Sequence, residues 1–279
     1  MSSAYLDRFA RVTNYIYDHL DEELDLARLG EIARLSPYHW HRIYQSMLGE
    51  SAVATVRRLR LQRAAADLAR SDRDIEAVAK RARYGTVSSF SRAFHDAFGL
   101  PPAQFRQRSQ EMTLPAPQAN FANAVYPVTI QDFASVPLAA IDHVRSYLEI
   151  GRAFDMLFGW LGTRGLIGPD TRMVALYHDD PSVVPEAELR SSAAVVVEPG
   201  FAAEPPVRSL ASRAGRYAVL RYKGPYVAMR PAYEWLFGRW LPQSGYEPDD
   251  APCFEQYLNS PRENPPAELL TDICLPLKS

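Results

Sequence analysis

The sequence has little cysteine: two residues, Cys253 and Cys274, in 279. Their spacing fits no metal motif, and thiols this sparse suit a reducing compartment better than a disulfide framework, so both read as buried structural residues. Long apolar runs are missing too. No stretch approaches the roughly 18 to 20 residues needed to span a bilayer. The N-terminus opens on Leu6, Phe9, Val12, Ile16 and Leu20 at helical spacing, not in the order of a signal peptide. A cytoplasmic protein with no membrane partner is expected. A phosphate-binding loop and a Ser/His/Asp order are also absent, and His143 and His178 lack a paired nucleophile. No metal, no cofactor and no enzymatic activity are expected.

What the chain does have is repetition. Trp40-His41-Arg42-Ile43-Tyr44 and Phe90-Ser91-Arg92-Ala93-Phe94 lie 50 positions apart, each with an arginine between two aromatics, and both copies end at a glycine, Gly49 and Gly99. Trp40, Tyr44 and Leu48, and likewise Phe90, Phe94 and Phe98, recur at i, i+4 and i+8. That is one apolar stripe of a helix, with glycine where a C-terminus favours it. The arginines lie off the stripe and face outward. Just upstream, Leu29 to Ala33 and Val78 to Ala82 read as short helices. Each is followed by a turn, Arg34-Leu35-Ser36 ahead of Pro37 or the one-residue-longer Arg83-Tyr84-Gly85-Thr86, with Ser36 as a cap and Pro37 opening the next helix. The two copies are helix-turn-helix units. Val53 to Ala69, free of Pro and Gly, predicts a connecting helix roughly 25 Å long.

Charge supports a polyanionic partner for this half. Ala27 to Gln110 carries 15 Lys and Arg against 7 Asp and Glu, whereas the rest of the chain after Gln110 carries 14 against 20, so the formal net charge of −2 hides a basic segment joined to an acidic one. Successive major-groove faces of B-DNA recur about every 34 Å, within reach of two motifs held apart by such a rod. In that docking Arg42 and Arg92 donate bidentately to guanine. Tyr38, His41, Gln45, Thr86, Ser88, Ser89 and His95 share their exposed faces.

At these residues the chain resembles the AraC family of bacterial transcription regulators, from about Leu26 to Arg108. The most specific match runs from Phe90-Ser-Arg-Ala-Phe94 through Phe98-Gly99-Leu-Pro101-Pro102 to Phe105-Arg106. Arg83 stands where the family commonly has a turn glycine, and Ala52 replaces the first motif's usual proline. The resemblance implies sequence-specific binding of double-stranded DNA, with RNA polymerase as a further partner.

Glu111 to Asn123 lacks periodicity and contains Pro115 and Pro117, which reads as a linker, set at 113–124. Beyond it lies a second duplication. Ala139 to Tyr147 matches Ala218 to Tyr226 at an offset of 79, as does Leu157-Phe158-Gly159 against Leu236-Phe237-Gly238. After one inserted residue, Asp179-Asp-Pro181 faces Asn259-Ser-Pro261. Each copy reads strand, helix, strand, strand: a strand near Ala139 or Ala218, a helix over Gly151 to Arg164 or Arg230 to Pro242, then strands around Val174 and Val195 or Phe254 and Ile273. The fold class is multidomain, α then α+β. An all-α double helix-turn-helix over 1–112 precedes a duplicated β-α-β-β antiparallel sheet over 125–279, with a ligand cleft at its pseudo-twofold axis.

One position breaks the second repeat. Glu255 stands where the first copy has Ala175, and strand alternation places it on one face with Cys253 and Tyr257. A buried acid without a partner is costly, which points to a visiting cation, walled by some of the aromatics Tyr147, Trp160, Tyr177 and Tyr226. This half resembles the GyrI-like effector-binding domain, most clearly in Phe254-Glu-Gln-Tyr-Leu-Asn259 and Glu268-Leu-Leu-Thr-Asp-Ile273. That resemblance implies a cationic, amphipathic small-molecule effector faced by Glu255. It also carries two alternatives: a hydrolase in which Glu255 activates water with Tyr147 or Tyr226, and an inhibitor that binds DNA gyrase.

Overall fold

The computed structural model describes residues 3–113 and 126–278, with the side chains at 3–5, 37, 38 and 111–113 outside the described set. The expected linker at 113–124 also lies outside it, apart from Thr113. Two compact units result, and the segments Gly224–Pro231 and Pro261–Leu269 group with the helical one.

Among the described residues, seven α-helices form the N-terminal part of the first unit: α1 (Ser3–Asp18), α2 (Leu26–Ala33), α3 (Pro37–Leu48), α4 (Ala52–Arg70), α5 (Ile75–Arg81), α6 (Val87–Phe98) and α7 (Pro102–Thr113). The helices α3 and α6 are built alike, 12 residues each. The hydroxyl of Ser36 accepts the His39 N–H and that of Thr86 accepts the Ser89 N–H, which satisfies one orphan donor at each N-terminus. At the other end Gly49 and Gly99 both take φ +74°, a left-handed conformation that a side chain resists. The connecting helix α4 has 19 residues, about 28 Å at 1.5 Å per residue, slightly longer than expected. Ala52 is its first residue, behind the Ser51 cap, just as Pro102 is the first residue of α7. The first helical position tolerates proline without requiring it, so the departure at Ala52 leaves the element intact.

Both turns close through an arginine in the left-handed region, Arg34 at φ 54° and Arg83 at φ 63°. In each, the following N–H reaches back to a carbonyl of the preceding helix, Leu35 to Gly30 at 2.9 Å and Tyr84 to Ala79 at 3.0 Å. Arg83 thus adopts the backbone that a glycine would adopt freely, at a steric cost. Around α4 the apolar stripes meet. Phe9 of α1 stacks near Trp40 and Tyr44, and the Tyr44 hydroxyl donates to Thr55 Oγ1 at 3.1 Å. On the other motif Phe90, Phe94, Phe98 and Phe105 pack with Leu61, Ala64, Leu68 and Val78 in one buried cluster.

The second unit is an eight-stranded antiparallel sheet. Its strands are β1 (Val128–Phe133), β2 (Pro137–Val144), β3 (Met173–Tyr177), β4 (Arg190–Val196), β5 (Arg208–Ala211), β6 (Gly215–Lys223), β7 (Phe254–Tyr257) and β8 (Leu270–Pro276), in the order β1-β6-β8-β7-β3-β4-β2-β5. The expected strands are present. The two edge strands β1 and β5 escaped the sequence reading because β1 is mostly exposed and β5 has only four residues, so neither shows an apolar alternation.

Each edge strand pairs with the opposite copy. Ile130 of β1 faces Ala218 of β6, and Ser209 of β5 faces Ala139 of β2, so the offset of 79 relates one crossed pairing to the other. At the centre β3 and β7 pair, with Ala175 opposite Glu255. The pseudo-twofold axis therefore passes through the one matched pair of the β3–β7 ladder at which the two copies differ by a charge.

The helices of the two copies are unequal. α8 (Gly151–Gly162) is regular and packs on β2 and β4. Its counterpart was expected as one helix from Arg230 to Pro242. Instead α9 (Arg230–Trp235) runs into a π-helical turn at Leu236–Trp240 before a short last turn, Leu241–Ser244. A π turn holds more residues than an α turn, and this one overlaps the interval in which the repeat offset steps from 79 to 80. Among the described residues no helix is long and apolar enough to cross a membrane, and no group of three or more His, Cys, Asp or Glu side chains could hold a metal ion.

Candidate functional site

On the helical unit the outward face can be assigned residue by residue. Ser88, Arg92 and His95 of α6 are exposed at i, i+4 and i+7, and the offset of 50 maps them onto Tyr38, Arg42 and Gln45 of α3. Arg42 and Gln45 are exposed as well. Tyr38 lies in the first turn of α3, with its side chain outside the described set. Three expected members of this face differ. His41 is half-buried, and its Nδ1 is shielded without a hydrogen-bond partner. Thr86 and Ser89 are exposed but spend their hydroxyls on each other and on the cap. Thr86 Oγ1 donates to Ser89 Oγ at 3.0 Å, which donates to the Thr86 carbonyl at 2.9 Å. Their position at the N-cap explains this, because a capping hydroxyl is held against the backbone.

The local surplus of positive charge is smaller at the surface than in the sequence. Arg81 donates twice to the Asp67 carboxylate, at 3.0 and 2.9 Å, Arg63 pairs with Asp21 at 2.6 Å, Arg58 pairs with the buried Glu50, and Arg60 donates to the Leu20 carbonyl at 2.9 Å. These arginines tie α4 and α5 to their surroundings. Arg92 has no partner among the described residues, which leaves its planar fork for an incoming acceptor.

In the sheet unit the site forms around Glu255, 6 % exposed. Cross-strand neighbours share a face, so Ala175 and Glu255 point to the same side, with Tyr177 and Tyr257 two residues on. Three phenols converge on the carboxylate. Tyr233 of α9 donates to Oε1 at 2.8 Å, and Tyr177 and Tyr257 donate to Oε2 at 3.1 and 2.9 Å. The Tyr177 and Tyr257 oxygens are themselves 2.9 Å apart. Among the described residues no cationic side chain pairs with Glu255. Burial pushes the Glu255 carboxyl above the usual carboxylate range, and the three phenol hydrogen bonds only partly oppose this. Burial likewise pushes the Tyr233 phenol well up, and the Cys253 thiol up to about 12, with Glu255 contributing to both. Cys253 is thus an unreactive, neutral thiol.

The walls are aromatic. The ring of Tyr147 stands edge-on to Tyr177 at 4.7 Å and Phe154 of α8 edge-on to Tyr257 at 5.5 Å. Flanking them on the same sheet face, the hydroxyls of Ser191, opposite Tyr177, and Thr271, opposite Tyr257, are buried without a hydrogen-bond partner. Of the expected ligand residues, Tyr177 and Tyr147 join Glu255. Trp160 does not: it is buried six positions beyond Phe154 on α8, against Phe201 and beneath the Arg164 guanidinium, 3.6 Å above its ring. Tyr226 is half-buried in the 3₁₀ turn Tyr226–Ala228 and is not among the phenols bound to Glu255. The sequence reading named Tyr257 only as a strand neighbour and Tyr233 only as one aromatic among many. A period of two points to Tyr257, but nothing local links Tyr233 to a strand 22 residues away.

Other hydroxyls are committed. The Tyr147 hydroxyl accepts the Asp179 N–H at 3.0 Å and donates to the Asp179 carbonyl at 2.8 Å. On the opposite sheet face His178 Nε2 lies 3.0 Å from Ser192 Oγ, yet that hydroxyl is fully buried and donates to Asp142 at 2.8 Å, which Arg208 also holds.

A double helix-turn-helix with outward arginines, together with a sheet that closes aromatic walls around a buried carboxylate, defines a class: a DNA-binding transcription regulator with a small-molecule sensing domain. Comparison with known proteins agrees. Residues 126–278 match the family described as a GyrI-like small molecule binding domain, and residues 29–108 match a helix-turn-helix domain. The chain belongs to the GyrI-like family and carries an AraC-type helix-turn-helix domain ahead of that fold. Among its relatives, a DNA gyrase inhibitor of Edwardsiella piscicida is 30 % identical over 163 residues, which are 54 % of this chain and 97 % of that protein. The MmsAB operon regulatory protein of Pseudomonas aeruginosa is 30 % identical over 97 residues, 35 % of this chain and 32 % of its own length. Among solved structures, the EcmrR–DNA complex in EcmrR-RPo is 15 % identical with a TM-score of 0.46, covering 87 % of this chain and 82 % of that one.

Proposed function

We propose that the protein is a one-component regulator of the cytoplasm that reads two DNA half-sites with α3 and α6 and senses a cationic, amphipathic molecule at Glu255. The domain limits of this reading are 1–112 for the DNA reader and 125–279 for the sensor. The observation that carries the ligand class is a carboxylate 6 % exposed, bound by three phenols and paired with no cation among the described residues. Removing a charge from water without a counter-charge costs several kcal/mol, on the order of what a bound cation returns. Aromatic rings, with their negative faces, suit the same guest. On the DNA side Arg42 and Arg92 are the base readers, Tyr38, Gln45, Ser88 and His95 their companions, and Thr86, Ser89 and His41 support the helices that present them.

The hydrolase alternative loses ground on geometry. Of its two suggested helpers, Tyr147 has its hydroxyl taken up by the Asp179 backbone and Tyr226 is not among the phenols bound to Glu255. Binding of DNA gyrase is suggested only by the name of the Edwardsiella relative, and RNA polymerase is a partner of the reading as a regulator. Selection of bound sequences from genomic DNA, with and without tetraphenylphosphonium, tests the whole reading. A selected operator whose occupancy shifts with the cation in the wild type and not in Glu255→Gln is the expected result. Enrichment of no sequence removes the DNA reader, and an operator indifferent to every cationic amphiphile tried removes the sensor.

A further inference from the structure

The hydroxyl and carboxylate oxygens around Glu255 make four contacts of hydrogen-bond length: Tyr233 to Oε1, Tyr177 to Oε2, Tyr257 to Oε2, and Tyr177 to Tyr257. Three phenols supply three protons. If Glu255 is ionised, one of the four contacts has no hydrogen, and two oxygens face each other with lone pairs about 3 Å apart in a buried place. If both phenols donate to Oε2, the unfilled contact is the one between Tyr177 and Tyr257. If one phenol donates to the other, the unfilled contact is to Oε2. A proton on the carboxyl is the fourth hydrogen and fills the set.

Among the described residues no cation acts on the acid. The titratable groups facing Glu255 are Tyr177 from β3, Cys253 and Tyr257 from β7 and Tyr233 from α9. β8 places Ile273 opposite it and turns Asp272 and Cys274 to the other face. α8 brings Phe154 against Tyr257, and its buried Asp155 is not among the groups that touch Glu255. None of these is a cation.

We infer that Glu255 holds a proton while the site is empty, and that a cationic ligand enters in exchange for it. The step balances: the carboxylic acid gives one proton to solvent, the carboxylate takes the ligand's positive charge, and the net charge of the site is unchanged. On exchange, Tyr177 and Tyr257 can both donate to Oε2 and their mutual contact opens. The inference rests on the cationic-ligand reading above and adds that the sensor reads the ratio of cation to protons, so acidification weakens the response.

The test is calorimetry on the full chain with tetraphenylphosphonium, which has a fixed charge and no exchangeable proton, in phosphate and in Tris at matched pH. The expected result is a heat that differs between buffers by about one proton released per cation on the acid side of the Glu255 transition. The dissociation constant should there fall about tenfold per pH unit and level off above it. Binding with equal heats in both buffers, and an affinity flat from about pH 5 to about pH 8, overturns the exchange while leaving the cation site standing. If the cation does not bind, the ligand reading fails and the protonation is read directly. The infrared difference between ligand-free wild type and Glu255→Gln, or Glu255→Met if the first does not fold, then shows a carboxylic-acid carbonyl band at neutral pH. Its absence overturns the inference by itself.

Discussion

At the scale of single residues, the two arginines that first drew attention and the glutamate that broke the second repeat are informative for opposite reasons. Arg92 is exposed and without a partner among the described residues, while Glu255 is buried and held by three phenols. If α3 and α6 each enter a groove, Arg42→Ala and Arg92→Ala relax base preference in one half-site each. The expected loss is about 1 to 3 kcal/mol per bidentate contact, read as binding to operator variants substituted in one half-site at a time. Unchanged preference in both variants places the DNA face elsewhere. His41 marks the limit of reasoning from periodicity. It lies one position from Arg42, about 100° around the helix, and that angle turns an outward position into a half-buried one. Thr86 and Ser89 mark a second limit: residue type suggested base contact, whereas their place at the N-cap engages the hydroxyls locally.

At the scale of elements, caps and turns carry most of the information. Gly49 ends α3 at φ +74° with open space where a Cβ would stand, so the cost of Gly49→Ala is purely conformational, about 1 kcal/mol of stability. Arg83 is the converse case, a long side chain at φ 63°. Arg83→Gly is expected to hold or raise the stability of the helical unit, because relief of the left-handed strain offsets the greater freedom of the unfolded chain. Chemical denaturation of the two variants beside the wild type checks both signs, and a stabilised Gly49→Ala would contradict the turn geometry. The helices α3 and α6 were legible because apolar spacing, Ser or Thr caps and terminal glycines agree there, and α4 because its stretch holds no Pro or Gly. The edge strands β1 and β5 were not, since exposed strands show no alternation. The π turn at Leu236–Trp240 was visible only as a one-residue slip in the repeat.

At the scale of the molecule, the two duplications solve different problems. The first sets two similar helices on one rod, α4, about 28 Å long, close to the repeat of the major groove. An operator read this way has two half-sites on one face of the duplex. Inserting about half a helical turn of DNA between them should abolish high-affinity binding, and a full turn should restore part of it if the intervening DNA can bend. Equal affinity for all three spacings in a mobility-shift titration would mean that the motifs act singly. The second duplication makes a symmetric sheet and then breaks the symmetry at its axis, where Ala175 faces Glu255. The crossed pairing of β1 and β5 ties the two copies into one sheet.

By itself the sequence determined the two repeats, the class of each half, the outward placement of Arg42 and Arg92 and the anomaly at Glu255. All of these are written in local spacing, and local spacing sets helix faces and strand faces. Only the tertiary structure decided that Tyr233, from a helix, meets Tyr177 and Tyr257, from two strands, on one carboxylate, and that Trp160 stays in the core while Tyr147 reaches the site. The physical reason is range. A face is fixed by neighbours a few residues apart, whereas a site is assembled by sheet register and helix packing across 78 positions of chain, from Tyr177 to Glu255, and no helix or strand period spans that distance.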